Sequence, residues 1–369
     1  MESMKNITVE ALIDSLYDGI YVCDTDRRII YWSKRAVRIT GWKEEDVIGK
    51  QCFDDILCHI DKDGHKLCGS EFCPLHRAMV TGTLSKVSQL VYAQGANGQR
   101  IPLEVVVAPI VNEEGKVVGG VETFRDASAV VHDMQRAKAI QQMGMKEDVP
   151  KNTGLVFNTH YIPHDIIGGD YYSIKEVGKG LYGIVLADVS GHGVAAALYT
   201  MHISSLWNRY HMLIKNPLEF VTRVNKDLAA VVKADGSFAT AICGLVDINE
   251  HVFRFASAGG PEVVLMHADG SYECVKSEGF PLGLMADADY EELSVKINPG
   301  DCLLLFTDGA VEVENAEGKL LDTEGLIDIL RKQGHPQKPL QKEALEEELL
   351  KYSNAIRLVD DLTIIEIRF

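Results

Sequence analysis

The chain has 369 residues, 46% of them hydrophobic and 25% charged, with 54 acidic against 37 basic residues and a formal net charge of −17. That length predicts two domains with ample core, and so acidic a surface excludes general binding to nucleic acid or anionic membranes. No apolar run approaches the roughly 20 residues of a bilayer-spanning helix, Met1 to Asn6 lack a signal peptide's apolar stretch, and a cytoplasmic protein with free or ligating cysteines is expected.

Residues Ile7 to Leu16 pattern as an amphipathic helix leading into Asp18-Gly19. Ile20–Asp24 and Arg28–Trp32 read as strands around a turn, Ser33–Gly41 as a short helix stopped by glycine, and Glu44–Gly49 as a further turn. Strands follow at Ser85–Tyr92, Ile101–Ile110 and Val117–Phe124, with Gly98 and Gly115 in the hairpin turns. This order, with Asp18-Gly-Ile-Tyr-Val-Cys-Asp, Thr40-Gly-Trp, Ile48-Gly-Lys and Gly115-Lys-Val-Val-Gly-Gly-Val-Glu-Thr-Phe-Arg-Asp, resembles a PAS sensor domain over residues 1–127.

One segment departs from that pattern. Between Cys52 and His76 stand four cysteines and three histidines, residue types that ligate zinc or iron–sulfur clusters or act as redox thiols. Their spacing lacks the paired C-x₂-C of a zinc ribbon, and buried free cysteines are also common as small hydrophobes. Cys52, His59, Cys68 and Cys73 are the preferred ligand set for zinc or iron. A reversible Cys68–Cys73 disulfide is the competing expectation.

Asp126 to Met145 lacks strand alternation. Val130, Met134, Ala137 and Gln141 or Ile140 fall on one helical face, and the helix should stop near Gly144. Residues 128–150 are read as a helical linker, either a spacer or a short parallel coiled coil that joins two protomers. Two heptads alone are too short to dimerise unaided.

In the remainder, 151–369, Gly154–Pro163 opens a sheet, and the strand Gly183–Ala187 delivers Asp188 into Val-Ser-Gly-His-Gly before a helix starting near Val194. Helical periodicity runs from Val194 to Leu213, Asn216-Pro begins a second helix, and strands follow at Thr240–Asp247, His251–Ala256 and Glu262–Met266. Asp170 precedes one apolar strand, Asp308 ends the run Cys302–Thr307, and Asp360-Asp361 opens the last strand. Singly, each is a turn or capping aspartate. Together, four carboxylates abutting strands of one core, with no Lys or Arg beside Asp188 or Asp308 in sequence, call for a cationic partner. Hard oxygen donors suit Mg²⁺ or Mn²⁺.

Five motifs carry a resemblance: Gly168-Gly-Asp-Tyr-Tyr, Ala187-Asp-Val-Ser-Gly-His-Gly-Val-Ala-Ala-Ala-Leu, Phe280-Pro-Leu-Gly-Leu, Phe306-Thr-Asp-Gly-Ala-Val-Glu and Asp360-Asp-Leu-Thr. In their order and spacing this part of the chain resembles the SpoIIE-like branch of the metal-dependent PPM-type serine/threonine phosphatases. The fold class expected is therefore α+β in two domains, an antiparallel PAS sheet with flanking helices and then an αββα sandwich. The resemblance implies two Mn²⁺ or Mg²⁺ ions sharing Asp188, with Asp308 and Asp360 on the first, Asp170 and the Val189 carbonyl on the second, and water as the nucleophile. Asp361 is expected to support the ligands or the turn, although it could exchange roles with Asp360. Thr307 and Thr363 are expected to orient carboxylates. His192 is an acid candidate, equally readable as a loop residue.

The resemblance further implies a phosphorylated STAS-type anti-sigma-factor antagonist as substrate, and a linker that relays the sensor's state in a homodimer. Two departures bear on substrate fit: Ser173 stands where the family has a second aspartate, and Gly260 where it has a histidine. A catalytically silent sensor-scaffold and a small-molecule phosphatase are the alternatives.

Overall fold

Two units divide the chain, Met1–Asp133 and Met134–Phe369, in a computed structural model that describes residues 8–369 apart from 55, 70, 71, 85–87, 146, 149–153, 192 and 232–235. His192, the start of the Ser85–Tyr92 strand and part of the stretch after Gly144 thus lie outside the described residues. In the first unit, helix α1 (Val9–Asp14) precedes β1 (Gly19–Asp24) and β2 (Ile29–Trp32). Helix α2 (Lys34–Thr40) is bounded as its sequence dictates. Ser33 Oγ accepts the Ala36 N–H at its start, and Gly41 takes the left-handed conformation at its end, φ 77°. The segment Glu44–Gly49, expected as a turn, instead forms one helical turn, α3 (Glu44–Val47). Its three leading acids favour a helix N-terminus. Helix α4 (Pro74–Thr81) then precedes β3 (Gln89–Gln94), β4 (Arg100–Val111) and β5 (Val117–Asp126). The five strands form one antiparallel sheet in the order β2-β1-β5-β4-β3.

Helix α5 (Ser128–Gly144) ends where glycine was expected to stop it. Of the expected stripe Gln141 is buried and Met134 and Ala137 are half-buried, whereas Val130 and Ile140 are 56% and 54% exposed and Val131 is buried in place of Val130.

The second unit comprises β6 (Glu147–Asp148), β7 (Val156–Ile162), β8 (Asp170–Gly178), β9 (Leu181–Val189), α6 (Val194–Tyr210), α7 (Pro217–Val231), β10 (Ala239–Asp247), β11 (Val252–Ala258), β12 (Val263–Met266), β13 (Tyr272–Val275), β14 (Glu292–Lys296), β15 (Cys302–Phe306), α8 (Asp322–Lys332), α9 (Lys342–Ser353) and β16 (Leu362–Arg368). The helix expected to run to Leu213 ends at Tyr210, followed by a 3₁₀ turn over His211–Lys215. One sheet runs β14-β11-β10-β9-β8-β6 and the other β13-β12-β15-β16-β7. Between them pack Ile174, Ile184, Leu186, Phe253, Leu303, Leu305, Ile365 and Ile367. Trp207, Phe220 and Leu228 of α6 and α7 cover the outer face of the first sheet, and Leu326, Leu330, Leu345 and Leu349 of α8 and α9 that of the second. The result is a four-layer αββα sandwich, and its central strands are apolar on both faces because both are covered. Among the described residues no helix is long and apolar enough to cross a membrane.

One buried charge fastens the end of this sandwich. Glu366 Oε1 lies 2.8 Å from His335 Nε2 and 3.0 Å from Arg368 Nη1, and Oε2 accepts from Asn158 Nδ2 at 2.5 Å and Leu340 N at 3.1 Å. Burial would raise its carboxyl, but the His335, Asn158, Leu340 and Arg368 contacts override it and hold the pKa down to about 2. A depressed carboxylate stabilises the fold above its unfolded pKa and loses that contribution as pH falls through the folded one. Glu366→Gln should therefore lower unfolding free energy in urea at neutral pH by about 3 kcal/mol. It should also flatten the acid limb of the stability curve between roughly pH 4 and pH 2.

Candidate metal centre

The site is the last layer of the inter-sheet core. Inward-facing residues along β9 are Tyr182, Ile184 and Leu186, and the two-residue period of the strand places Asp188 next in that row. On β8 the same row runs Ile174, Tyr172, Asp170, and the register pairs Asp170 directly with Asp188. The opposite sheet contributes Leu303 and Leu305 followed by Thr307, and Ile367 and Ile365 followed by Thr363. Side chains that are apolar for two or three pleats thus become oxygen donors at one end.

Asp170 is fully buried. Its Oδ2 accepts from Thr307 Oγ1 at 2.9 Å and from Thr363 Oγ1 at 2.5 Å, so both threonines orient this carboxylate. Its Oδ1 is buried with no hydrogen-bond partner. Asp188 and Asp308 are half-buried and Asp360 is exposed. Asp361 plays a different part from its neighbour. It is buried, and its two oxygens accept the backbone N–H groups of His164, at 2.6 Å, and of Gly169. It thereby ties the loop before β8 to the start of β16, whereas Asp360 accepts the Asp361 N–H at its Oδ1, 2.8 Å away, and stays exposed.

Close approach explains two of the glycines. A Cβ on Gly169 would stand 2.9 Å from the Val189 carbonyl oxygen, and one on Gly309 would stand 1.9 Å from that of Asp361. Val189 itself donates its N–H to Gly169 O at 3.1 Å.

Electrostatically the layer is unbalanced. Burial, then Asp188 and Asp361, push the Asp170 carboxyl well above the usual range. Burial, then Asp308, Asp360 and Asp361, raise Asp188 to about 7, and burial with Asp360 and Glu312 raises Asp308 to about 6. Among the described residues no Lys or Arg offsets these charges. The orphaned buried oxygen of Asp170 and the all-oxygen donor set fit hard divalent cations. Among the described residues no three of these carboxylates bring oxygens within 4.8 Å of one another.

The two departures from the family pattern fall away from this row. Ser173 is buried and, being three residues from Asp170, lies on the opposite face of β8. At Gly260 an added Cβ would stand 3.0 Å from the Ile242 side chain. One contact to the layer escaped the sequence reading. Gln141 of α5 is buried and donates to Gly168 O and to Thr200 Oγ1, each at 2.8 Å.

The sulfur-rich segment of the first unit is buried too. Cys52, Cys68 and Cys73 are buried free thiols, as is Cys23, a residue outside the expected set because it sits inside the apolar run of β1. His59 donates its main-chain N–H to Cys68 Sγ at 3.1 Å, while its ring Nε2 lies 3.6 Å from Glu122 Oε1. Burial and Arg100 lower the His59 ring to about 4, and burial and Cys73 raise Glu122, so both are driven toward neutrality. Cys68 holds Cys73 down to about 6 against burial, helped by the N–H groups of His76 and Leu75 and by Arg27.

An αββα sandwich whose inter-sheet core ends in clustered aspartates defines a PP2C-like domain. The SiaA-PP2C domain of Pseudomonas aeruginosa shares this fold, with a TM-score of 0.57 at 23% identity over 66% of this chain and 99% of that one. The family model for stage II sporulation protein E (SpoIIE) matches residues 178–369, and a PAS domain model matches residues 18–129. The chain belongs to the SpoIIE family, with a PAS domain preceding the phosphatase-type unit. Among curated proteins it is 25% identical to the phosphoserine phosphatase RsbP of Bacillus subtilis, over 49% of this chain and 45% of that protein. It is 26% identical to the phosphoserine phosphatase RsbU of the same organism, over 64% and 70%. The chain thus spans less than half the length of RsbP.

The raised aspartate pKa values set the pH dependence of the metal-free protein. Carboxylates whose folded pKa lies above the unfolded value cost stability at neutral pH, a cost relieved as pH falls toward the unfolded pKa. In chelator, the melting temperature should therefore rise between pH 7.5 and 5.5 by more than it does in Asp188→Asn. At pH 7.5 that variant should be the more stable protein, by about 2 kcal/mol. Differential scanning calorimetry of both proteins checks this, and Mn²⁺ should stabilise only the wild type strongly.

Proposed function

We propose that the unit from Met134 is a metal-dependent protein serine/threonine phosphatase regulated by the PAS domain in a cytoplasmic partner-switching pathway, with a phosphorylated STAS-type anti-sigma-factor antagonist as substrate. The observation that carries the enzymatic reading is the buried, unpartnered Oδ1 of Asp170 beside Asp188. The relatives' activity on phosphoserine supports the substrate class.

Asp170, Asp188, Asp308, Asp360 and the Val189 carbonyl would hold two Mn²⁺ or Mg²⁺ ions. Bound there, such ions supply the positive charge that polarises a phosphoryl oxygen and make water a nucleophile at neutral pH. Asp188, central among the acids, takes the shared position, and Thr307 and Thr363 keep Asp170 in one rotamer. Asp361 holds the loop from His164 to Gly169 against β16. No side chain of the protein accepts the phosphoryl group. Ser190 Oγ is engaged by the Phe238 N–H at 3.1 Å, and no Gly-x-Ser-x-Gly elbow surrounds it.

The linker α5 relays the sensor's state and joins two protomers. Gln141 reaches Gly168, two residues before Asp170, so a displacement of α5 is transmitted to the metal-binding strand. The exposed Val130, Ile140 and Met143 supply the apolar surface for a partner helix.

Turnover of a phosphoserine-bearing STAS protein and of p-nitrophenyl phosphate should require Mn²⁺. Asp188→Asn should fall below about a hundredth of wild-type kcat with its circular dichroism unchanged. Turnover of free phosphoesters alone would instead favour a small-molecule phosphatase, and none on either substrate the silent scaffold. Gln141→Ala should change kcat several-fold without abolishing the Mn²⁺-induced rise in melting temperature. Ile140→Glu should shift the protein from dimer to monomer in light scattering.

A further inference from the structure

The end of the sandwich that carries the aspartates also carries a cavity. Along β10, Thr240 stands opposite Asp188 and Ala239 opposite Val189. Ala239 in turn exchanges two backbone hydrogen bonds with Leu282, of 2.7 and 3.0 Å, and Gly259 bridges to Ala241. The segments 259–260 and 276–289 are thereby held beside the next strands of the same sheet. Between them they border a cavity of about 480 Å³, the size of a small-ligand site. Neighbouring strands stand about 4.8 Å apart, which puts the Gly259 backbone about 10 Å from that of Asp188. An extended peptide covers that distance in about three residues, at roughly 3.3 Å each.

The lining of the cavity has a definite character. Gly259 and Gly260 contribute backbone alone, so the histidine that the family carries at the second position brings no ring here. Phe280, 52% exposed, supplies an aromatic wall. Lys276, Glu278 and Asp289 complete it and are all exposed, two carboxylates against one ammonium. Among the described residues neither carboxylate has an ion-pair or hydrogen-bond partner. The loops at this end expose four more acids, Asp287, Glu312, Glu314 and Glu317, against Lys319 and Arg357. An incoming side chain thus meets net negative charge at every approach to the cavity.

We infer that this cavity is a substrate subsite for an arginine or lysine side chain two or three residues from the phosphoserine, an assignment that rests on the phosphatase reading above. A guanidinium or ammonium placed there meets Glu278 and Asp289 and the ring of Phe280. A glutamate or aspartate in the same place meets like charge that Lys276 offsets only in part. The partner so selected is a phosphoprotein whose modified serine stands in a basic segment, and the acidic rim draws it in from a distance.

The full-length protein with Mn²⁺ is assayed on phosphoserine peptides that carry arginine, alanine or glutamate two or three residues before or after the phosphoserine, with p-nitrophenyl phosphate alongside. At low ionic strength kcat/KM should favour arginine over glutamate at one or more of these positions by at least about tenfold, and the preference should shrink in high salt. Glu278→Lys/Asp289→Lys should cut that preference to below about a third, through KM rather than kcat. Phe280→Leu should weaken it, and Glu250→Lys, a charge reversal at the far end of β10 and β11, should retain it. Because the preference is first read on the unaltered protein, a variant that fails to fold does not decide the outcome. Turnover without preference, or with a preference for glutamate, overturns the subsite and leaves the phosphatase reading standing. An arginine preference that survives the double reversal in a folded variant overturns the subsite as well. No turnover of any phosphoester overturns the phosphatase reading itself, and the subsite falls with it.

Discussion

Everything in the second unit depends on how its inter-sheet core ends. Four strands carry apolar side chains inward with a two-residue period, and on each the next inward position is an oxygen: Asp170, Asp188, Thr307 and Thr363. A close-packed core holds these positions to a fraction of an ångström, because neighbouring layers leave the backbone no slack. The same core denies the carboxylates water. Sandwich and site are therefore one construction, in which the packing that stabilises the fold also creates negative charge without a partner. Such an arrangement persists only if the stability gained in the apolar layers exceeds the electrostatic cost in the last one.

The start of β8 is where this cost can be modulated. Gly168 and Gly169 are held from two sides, by the Asp361 carboxylate at the Gly169 N–H and by Gln141 at the Gly168 carbonyl. Neither contact involves an apolar side chain, and both are short and directional. A hydrogen bond weakens steeply with angle whereas burial hardly changes, so a small shift of α5 would alter the strand's anchoring without unpacking the core. A glutamine in that buried place has the property a relay needs, since its amide donates to two different segments at once.

How much of this could be read from the sequence varied with the kind of signal. The αββα architecture was legible because its motifs stand in the order of the family the chain resembles, and the aspartates stood out because carboxylates beside apolar strands break the local pattern. Helix boundaries at Ser33, Gly41, Gly144 and Pro217 were legible because each uses local backbone chemistry. The division of labour between Asp360 and Asp361 was not, since adjacent carboxylates differ only in which backbone N–H groups fold onto them, and those come from His164 and Gly169, nearly two hundred residues away. At the start of α5 Val131 rather than Val130 is buried, because the two weigh equally in a periodicity count and only packing separates them, while Gln141, on the expected face, is buried. Cys23 was hidden for a similar reason. Within a buried strand a cysteine looks like any small hydrophobe, and Cys52 is brought back to the β1–β2 hairpin by the Arg28–Gln51 bridge after α3 rather than by spacing.

Both units bury titratable side chains, yet they meet the cost of that burial in different ways. Around Asp170 and Asp188 the neighbours are more carboxylates, with threonine hydroxyls as donors. A bare divalent cation lowers the energy of such a set by neutralising it. Around the cysteines of the first unit burial instead drives Glu122 and His59 toward their neutral forms, so that interior carries its polar groups without calling for an ionic partner.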